Sequence, residues 1–143
     1  MRPRSKRVSG PTRRPAGPAT SLAFRELQDT ARLLPYTAVY VAGVRDFTEP
    51  RAFAFCHVEP VNGVYSIGVA PHMEAQPASR IVAVLAHELG HASLLRRGKL
   101  DHSEQDADDA AERLFGFRIY YDADDVQTTD TTGVYPRPAH LPK

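Results

Sequence analysis

Residues 79–97 read SRIVAVLAHELGHASLLRR, and this stretch decides the fold because it predicts one long, buried helix. Ser79 is placed to cap its start, and Gly98 is placed to end it after two arginines that suit the helix dipole. The apolar surface is broader than that of a typical surface helix. It comprises Val82, Leu85, Leu89 and Ala92 as one stripe, extended by Ile81, Val84 and Leu95. We therefore expect polar residues within this helix to face an interior cleft.

Those polar residues are His87, Glu88 and His91, in the pattern His-Glu-Leu-Gly-His. Positions i and i+4 share one face of a helix, so both imidazoles can bind one metal ion. Glu88 lies about 100° around the helix from His87. There its carboxylate can take a proton from a metal-bound water rather than ligate the metal. The pattern predicts a hydrolytic site with one Zn2+ ion and Glu88 as general base. The competing interpretation is a pair of core or surface histidines that binds no metal.

A catalytic zinc site needs a third protein ligand, and its fourth position is left to water. Metzincins would place Gly and His at the third and sixth positions after His91, but Leu94 and Arg97 stand there, which excludes that class. Glu104 follows in the first turn of a second predicted helix, with Asp108 directly above it at i+4. We predict that Glu104 is the third ligand.

Two rival ligands remain open. Asp108 can replace Glu104, and either choice gives a site of two histidines and one carboxylate. His102 lies just before the second helix and can reach a metal if the loop folds back, although a loop histidine is more often solvated. Cys56 stands in an apolar run and is interpreted as a small buried side chain, not a ligand.

The second helix completes a longer pattern, HExxH followed by ExxADxxAxxL. Its residues are His87, Glu88, His91, Glu104, Ala107, Asp108, Ala111 and Leu114. The pattern resembles the gluzincin metallopeptidases, most closely the prenyl-protein (CAAX) and heat-shock membrane protease branch. The short spacing from His91 to Glu104 is more similar to the small ImmA/IrrE-type metallopeptidases. The resemblance covers roughly residues 79–116. It implies that Glu104 binds the metal and that Asp108 supports the site without binding the metal itself.

Composition indicates one globular domain. The chain has 143 residues, 42% hydrophobic and 24% charged, which is ordinary for a globular protein. No apolar run approaches the ~20 residues that span a bilayer, and the N-terminus lacks the apolar core of a secretory signal. Cys56 is the single cysteine, so no disulfide can form within the chain. We expect a cytoplasmic protein with no membrane contact.

The N-terminal segment differs sharply from the remainder. Residues 1–20 hold six basic residues, four prolines and no acid, which predicts a disordered basic tail. The whole chain has 18 basic and 17 acidic residues, so the remainder has 12 against 17 and a net charge of −5. The tail can contact nucleic acid weakly and non-specifically, and simple solvation explains it equally well.

Residues 21–121 are predicted to form an α+β, minimal zincin-like domain. A helix over residues 21–34 precedes three β-rich segments at 37–44, 51–58 and 63–69, and Asn62-Gly63 is a strong hairpin signal. This order predicts an N-terminal helix, a small antiparallel sheet of about three strands, the HExxH helix and the helix with the third ligand. The resemblance suggests that the strand at residues 65–69 adds a bound peptide as a further strand.

Residues 122–143 show no clear periodicity and are predicted to form an irregular C-terminal extension that can cover the cleft. Zinc peptidases add a side chain that stabilises the oxyanion. The candidates here are Tyr120, Tyr121, Tyr135 and His140.

The function predicted from these residues is that of a zinc-dependent metalloendopeptidase acting on a protein or peptide. The alternative is a non-proteolytic zinc-binding regulatory or interaction domain that associates with nucleic acid through the basic tail. Neither the substrate nor the oligomeric state follows from the sequence.

Overall fold

The computed structural model describes residues 13–47, 52–120 and 133–136. Short 3₁₀ helices at Leu34–Tyr36, Val44–Asp46 and Pro71–Ala75 lie between the main elements. The main elements are α1 (Pro18–Ala31), β1 (Thr37–Val41), β2 (Ala54–Cys56), β3 (Tyr65–Val69), α2 (Ala78–Arg96), α3 (Glu104–Phe115), β4 (Phe117–Tyr120) and β5 (Gly133–Pro136). The fold class is α+β, as predicted. No helix in this described part of the chain is both long and apolar enough to cross a bilayer.

The first three strands form a mixed sheet in the order β1-β3-β2, not the antiparallel sheet that was predicted. β3 pairs antiparallel with β2 on one side and parallel with β1 on the other. β1 therefore pairs with β3 and not with β2, which is the next strand along the chain. Both edges of β3 are therefore paired. The expectation that this strand binds a peptide as an added strand is wrong, since it has no free edge.

The β2–β3 connection contains the tight turn that Asn62-Gly63 predicted. Val61 and Val64 exchange two backbone hydrogen bonds of 3.0 Å across it. Asn62 and Gly63 have φ values of 54° and 79°. A two-residue hairpin turn whose central residues both have positive φ is the type that suits the twist of the strands, and asparagine followed by glycine tolerates it best. The hairpin prediction is confirmed.

Helix α2 contacts α1, α3, β5 and the sheet strands β2 and β3. Leu85 and Leu89 are fully buried, and Ile67 of β3 and Met73 lie in the same core cluster. The prediction of a mostly buried helix is confirmed. Burial of such side chains stabilises a fold by roughly 1.5–3 kcal/mol each.

The backbones of α2 and α3 approach closely at Gly90. A Cβ atom there would overlap the carbonyl oxygen of Ala107 and would lie 3.3 Å from the Ala111 nitrogen. Both alanines are fully buried. The absence of a side chain at Gly90 therefore sets the distance between the two helices, and with it the distance between their polar residues.

Helix caps fix both ends of the α2–α3 loop. Gly98, with φ of 85°, turns the chain after α2, and the Lys99 N–H donates to the Leu94 carbonyl at 2.9 Å. Ser103 and Asp106 form a capping box at the start of α3, because each side chain accepts a hydrogen bond of 3.0 Å from the other's backbone N–H.

The N-terminal boundary lies earlier than predicted. Helix α1 begins at Pro18, and the Arg14 carbonyl accepts a 2.9 Å hydrogen bond from the Val41 N–H of β1. The Arg13 guanidinium lies 4.2 Å from the centre of the Tyr40 ring and donates to Ser66 Oγ at 3.1 Å. The prediction that residues 1–20 are disordered is therefore wrong for residues 13–20, which contact the sheet or belong to α1. Residues 1–12 lie outside the described residues.

A distant carboxylate caps α1. Its N-cap residue Gly17 has no side chain for capping, and the Ala19 and Thr20 N–H groups donate instead to Glu74 at 2.6 and 2.9 Å. A negative charge at this position also suits the positive end of the helix dipole.

The C-terminal segment contains a strand where an irregular extension was predicted. β5 pairs antiparallel with β4, from Phe117 opposite Pro136 to Tyr120 opposite Gly133, and lies against α2. The sequence prediction missed β5 because four residues are too few to show an alternation. Residues 121–132 and 137–143, which include Tyr121 and His140, lie outside the described residues. That the extension covers the cleft therefore stays a prediction.

Candidate metal centre

Three side-chain atoms from α2 and α3 converge on one point. His87 Nε2 and His91 Nε2 are 3.2 Å apart, because the two residues follow one another on one face of α2. Glu104 Oε1, from the first turn of α3, lies 2.8 Å from the first nitrogen and 3.2 Å from the second. These three residues form a group that could hold a metal ion.

The size of this triangle agrees with a small divalent cation. Ligand atoms placed 2.0–2.1 Å from a tetrahedral zinc ion are about 3.3 Å from one another. Two imidazole nitrogens and a carboxylate oxygen are also a donor set typical of catalytic zinc. Three electron-pair donors this close together need a positive charge between them, either a proton or a metal ion.

Asp108 lies behind His87 and outside the triangle. Its Oδ1 is 2.7 Å from His87 Nδ1, on the opposite side of the ring from Glu104. A carboxylate can only accept, so His87 Nδ1 carries a hydrogen and Nε2 is the nitrogen that is left for a metal. Of the two candidate carboxylates, the structure thus brings Glu104 into the group and places Asp108 against the back of a ligand.

His102 also lies outside the group. Its Nε2 is 2.8 Å from His91 Nδ1, and its Nδ1 is 2.7 Å from the Lys99 carbonyl oxygen. Both ring nitrogens have partners, so the hypothesis that His102 is itself a ligand finds no support in this arrangement.

The electrostatics of the triangle favour a positive charge at its centre. Burial alone would lower the pKa of His87, but the hydrogen bonds with Asp108 and Glu104 outweigh it and raise the pKa to about 10. Hydrogen bonds from His87 and His91 hold the pKa of Glu104 well below its usual range. A divalent cation can replace the proton on His87 Nε2, because metal binding requires the deprotonated ligand.

Glu88 faces the same cleft as His91 and Glu104. It is only 7% exposed, yet no residue in the described ranges donates a hydrogen bond to its carboxylate. Burial raises the pKa of Glu88, while the neighbouring His87 and His91 oppose the increase. A buried carboxylate that lines a cleft beside a group able to hold a cation is placed to interact with a water molecule or a substrate.

The cleft has a volume of about 570 Å³ and separates the end of β2 from the α2–α3 loop. Its polar lining includes Glu88, His91, His102 and Glu104, and its apolar lining includes Phe55, Val58, Leu95 and Leu100. No Tyr, Arg or Lys is among the described residues that line it. The side chains of Tyr120 and Tyr135 are not described, so the oxyanion candidates stay predictions.

Cys56 also lines the cleft, although it lies outside the candidate ligand group. Burial, and next the nearby charge of Glu88, raise the pKa of its thiol. The thiol is therefore kept protonated at neutral pH, which agrees with its interpretation as a small apolar side chain.

Two contributors to the site were missed in the sequence: Gly90 as a contact between helices, and His102 as a partner of His91. Glycine within an otherwise apolar helix is a signal for close backbone approach. A histidine directly before the α3 N-cap had no comparable signal.

Comparisons with known proteins add no relative. No family model, curated protein or solved structure matches the chain. The likeness to gluzincins thus rests on the residues of this sequence alone and stays a prediction.

Proposed function

We propose that the protein is a zinc-dependent metallopeptidase, with His87, His91 and Glu104 as metal ligands and Glu88 as general base. The observation that carries the proposal is the convergence of three ligand atoms, 2.8–3.2 Å apart, beside a buried carboxylate in an open cleft. A metal-binding triad alone fits many proteins, whereas a general base beside it is what hydrolysis requires.

Zinc, when bound by these three residues, polarises a substrate carbonyl and lowers the pKa of water towards about 7. Glu88 accepts a proton from the attacking water and passes it to the departing amine, first as base and then as acid. Asp108 holds His87 in the tautomer that binds the metal.

The exposure of the ligands favours catalysis over a closed structural site. The His87 side chain is 6% exposed, that of His91 16%, and that of Glu104 62%. The centre is therefore enclosed on its helical side and open towards the cleft. Structural zinc sites are instead closed by four protein ligands.

The lining of the cleft suggests the class of substrate. Val58 and Leu100 are 68% and 72% exposed at its border, and Phe55 and Leu95 lie within it. Exposed apolar side chains around a polar centre are typical of a ligand-binding cleft. A peptide with a bulky apolar residue near the scissile bond fits these surroundings best.

The test combines metal analysis with cleavage of a peptide library by purified wild type, Glu88→Gln and Glu26→Gln. Glu26 is exposed on α1, far along the chain from the cleft, and provides the matched control for the chemical change. We expect one Zn2+ per chain in all three proteins. Cleavage should disappear in Glu88→Gln alone, with a decrease of at least about 10³-fold, because the base is lost.

Two results would contradict the proposal. Cleavage that persists in metal-loaded Glu88→Gln would exclude Glu88 as the base. Stoichiometric zinc without cleavage of any library peptide by wild type would favour the non-proteolytic alternative.

A further inference from the structure

The outer side of the metal centre contains hydrogen bonds that the proposed function leaves without a role. His102 Nδ1 donates to the Lys99 carbonyl at 2.7 Å, and His102 Nε2 lies 2.8 Å from His91 Nδ1. We infer that His102 is a positioning residue, which holds the His91 ring in the tautomer and orientation that direct Nε2 to the metal. The inference rests on the proposed function and extends the same site by one residue.

The backbone carbonyl decides the direction of every hydrogen bond in this series. A carbonyl oxygen only accepts, so His102 Nδ1 carries a hydrogen. In a neutral imidazole the other nitrogen is then an acceptor, so the hydrogen between the two rings belongs to His91 Nδ1. In the neutral His91 that a metal requires, Nε2 then offers its lone pair, and this is the atom that lies 3.2 Å from His87 Nε2 and from Glu104 Oε1.

His102 is fixed by contacts that do not depend on a metal. The Lys99 carbonyl lies in the turn that follows α2. In that turn the Lys99 N–H donates to the Leu94 carbonyl, and Gly98 has a positive φ. On its other side His102 adjoins Ser103, the N-cap of α3. The loop is thus held at both ends by helix caps, which makes His102 a stable reference for the ring of His91.

The two histidine ligands consequently have different partners behind them. His87 is held by the carboxylate of Asp108, and His91 is held by a neutral imidazole whose own partner is a backbone carbonyl. Such outer contacts of metal-binding histidines fix the ring and tautomer, and their loss costs about 10–100-fold in metal affinity.

The first experiment needs no substitution. In ¹⁵N-labelled, zinc-loaded wild type, NMR should show His102 as a neutral imidazole with its hydrogen on Nδ1, and a scalar coupling across the His91 Nδ1–H···Nε2 His102 hydrogen bond. A His102 with its hydrogen on Nε2, or with hydrogens on both nitrogens, would overturn the inference.

The second experiment measures zinc affinity by competition with a chelator. His102→Phe keeps a ring but removes the acceptor, and we expect affinity to decrease about 10–100-fold. His102→Gln restores an acceptor for His91 and should recover affinity to within a few-fold of wild type. Lys99→Ala keeps the backbone carbonyl and serves as the unchanged control.

These results separate the inference from the proposed function. If wild type binds zinc and His102→Phe binds it equally well, the role of His102 is disproved while the metal site stands. If wild type binds no zinc, both are disproved together. Circular dichroism of the metal-free variants shows whether they fold. If His102→Phe does not fold, the NMR experiment on labelled wild type tests the inference by itself.

Discussion

The helix pair (α2 and α3) and the sheet half (α1 with β1–β3) are held together by contacts of very different range. In the helix pair, His87 meets Asp108 and Glu104, which are 21 and 17 residues away along the chain. In the sheet half, Arg13 bonds Ser66 and Glu74 caps Ala19, at separations of 53 and 55 residues.

This difference teaches that the candidate metal-binding residues lie in one part of the molecule and the longest-range contacts of the fold lie in another. All three candidate ligands and Asp108 belong to the helix pair. The sheet half contributes much of the core, including Ile67 and Val69, and the β2 side of the cleft. Substitutions beside the candidate ligands in the helix pair should therefore affect metal affinity, while those in the sheet half that lie away from the cleft should affect stability alone.

The sharpest way to break the helix pair is Gly90→Ala. The new Cβ would overlap the Ala107 carbonyl, so α3 must move and carry Glu104 and Asp108 away from His87. We expect zinc affinity to fall about 100-fold and the free energy of unfolding to fall by about 1–3 kcal/mol. Chelator competition and denaturant unfolding measure the two effects.

Gly43→Ala is the matched control, since a Cβ there meets only the Asp46 carboxylate, at 3.6 Å. It should leave zinc affinity unchanged. Normal zinc affinity in Gly90→Ala would show that the closeness of the two helices does not set the geometry of the site.

A smaller effect is expected from Asp108→Asn. The amide oxygen can still accept from His87 Nδ1, but the negative charge behind the ring is lost. Zinc affinity should fall about 10-fold. Asp109→Asn, whose carboxylate accepts from Gln105 instead, is the control. Equal affinities of the two variants would remove Asp108 from the site.

The smallest effect, confined to the sheet half, is expected from Glu74→Gln. Burial tends to raise the pKa of Glu74, but hydrogen bonds from the Thr20 and Ala19 backbone outweigh it and lower the pKa. The folded protein therefore favours the ionised form, so this stabilisation is complete well above the ordinary pKa of 4.5 and is lost as pH falls through the folded value.

At pH 7 the variant should unfold with about 0.5–1 kcal/mol less free energy than wild type. The difference should shrink as pH falls through the lowered pKa of Glu74 in the folded protein, because the wild-type side chain then becomes neutral too, and zinc affinity at pH 7 should not change. Denaturant unfolding over a series of pH values measures this. A difference that is independent of pH would show that the charge of Glu74 does not stabilise α1.

How well the sequence predicts each region depends on how far apart along the chain its contacting residues are. The spacing of His87 and His91 and the hairpin at Asn62-Gly63 depend on neighbours within a few residues, so the sequence alone indicated them correctly. The pairing of β1 with β3 and the capping of α1 by Glu74 join segments far apart in the chain. No local pattern encodes such contacts, and the expected antiparallel sheet and disordered residues 13–20 were accordingly wrong.

The capping of α1 by Glu74 has a practical consequence for shortening the protein. A cut after residue 20, where the basic composition ends, would remove Ala19 and Thr20. Helix α1, which has a buried face, would then lack its first turn and the cap by Glu74. A cut before Arg13 keeps these contacts. Of two shortened chains, the one that begins at Arg13 should therefore unfold with a larger free energy than the one that begins at Ser21.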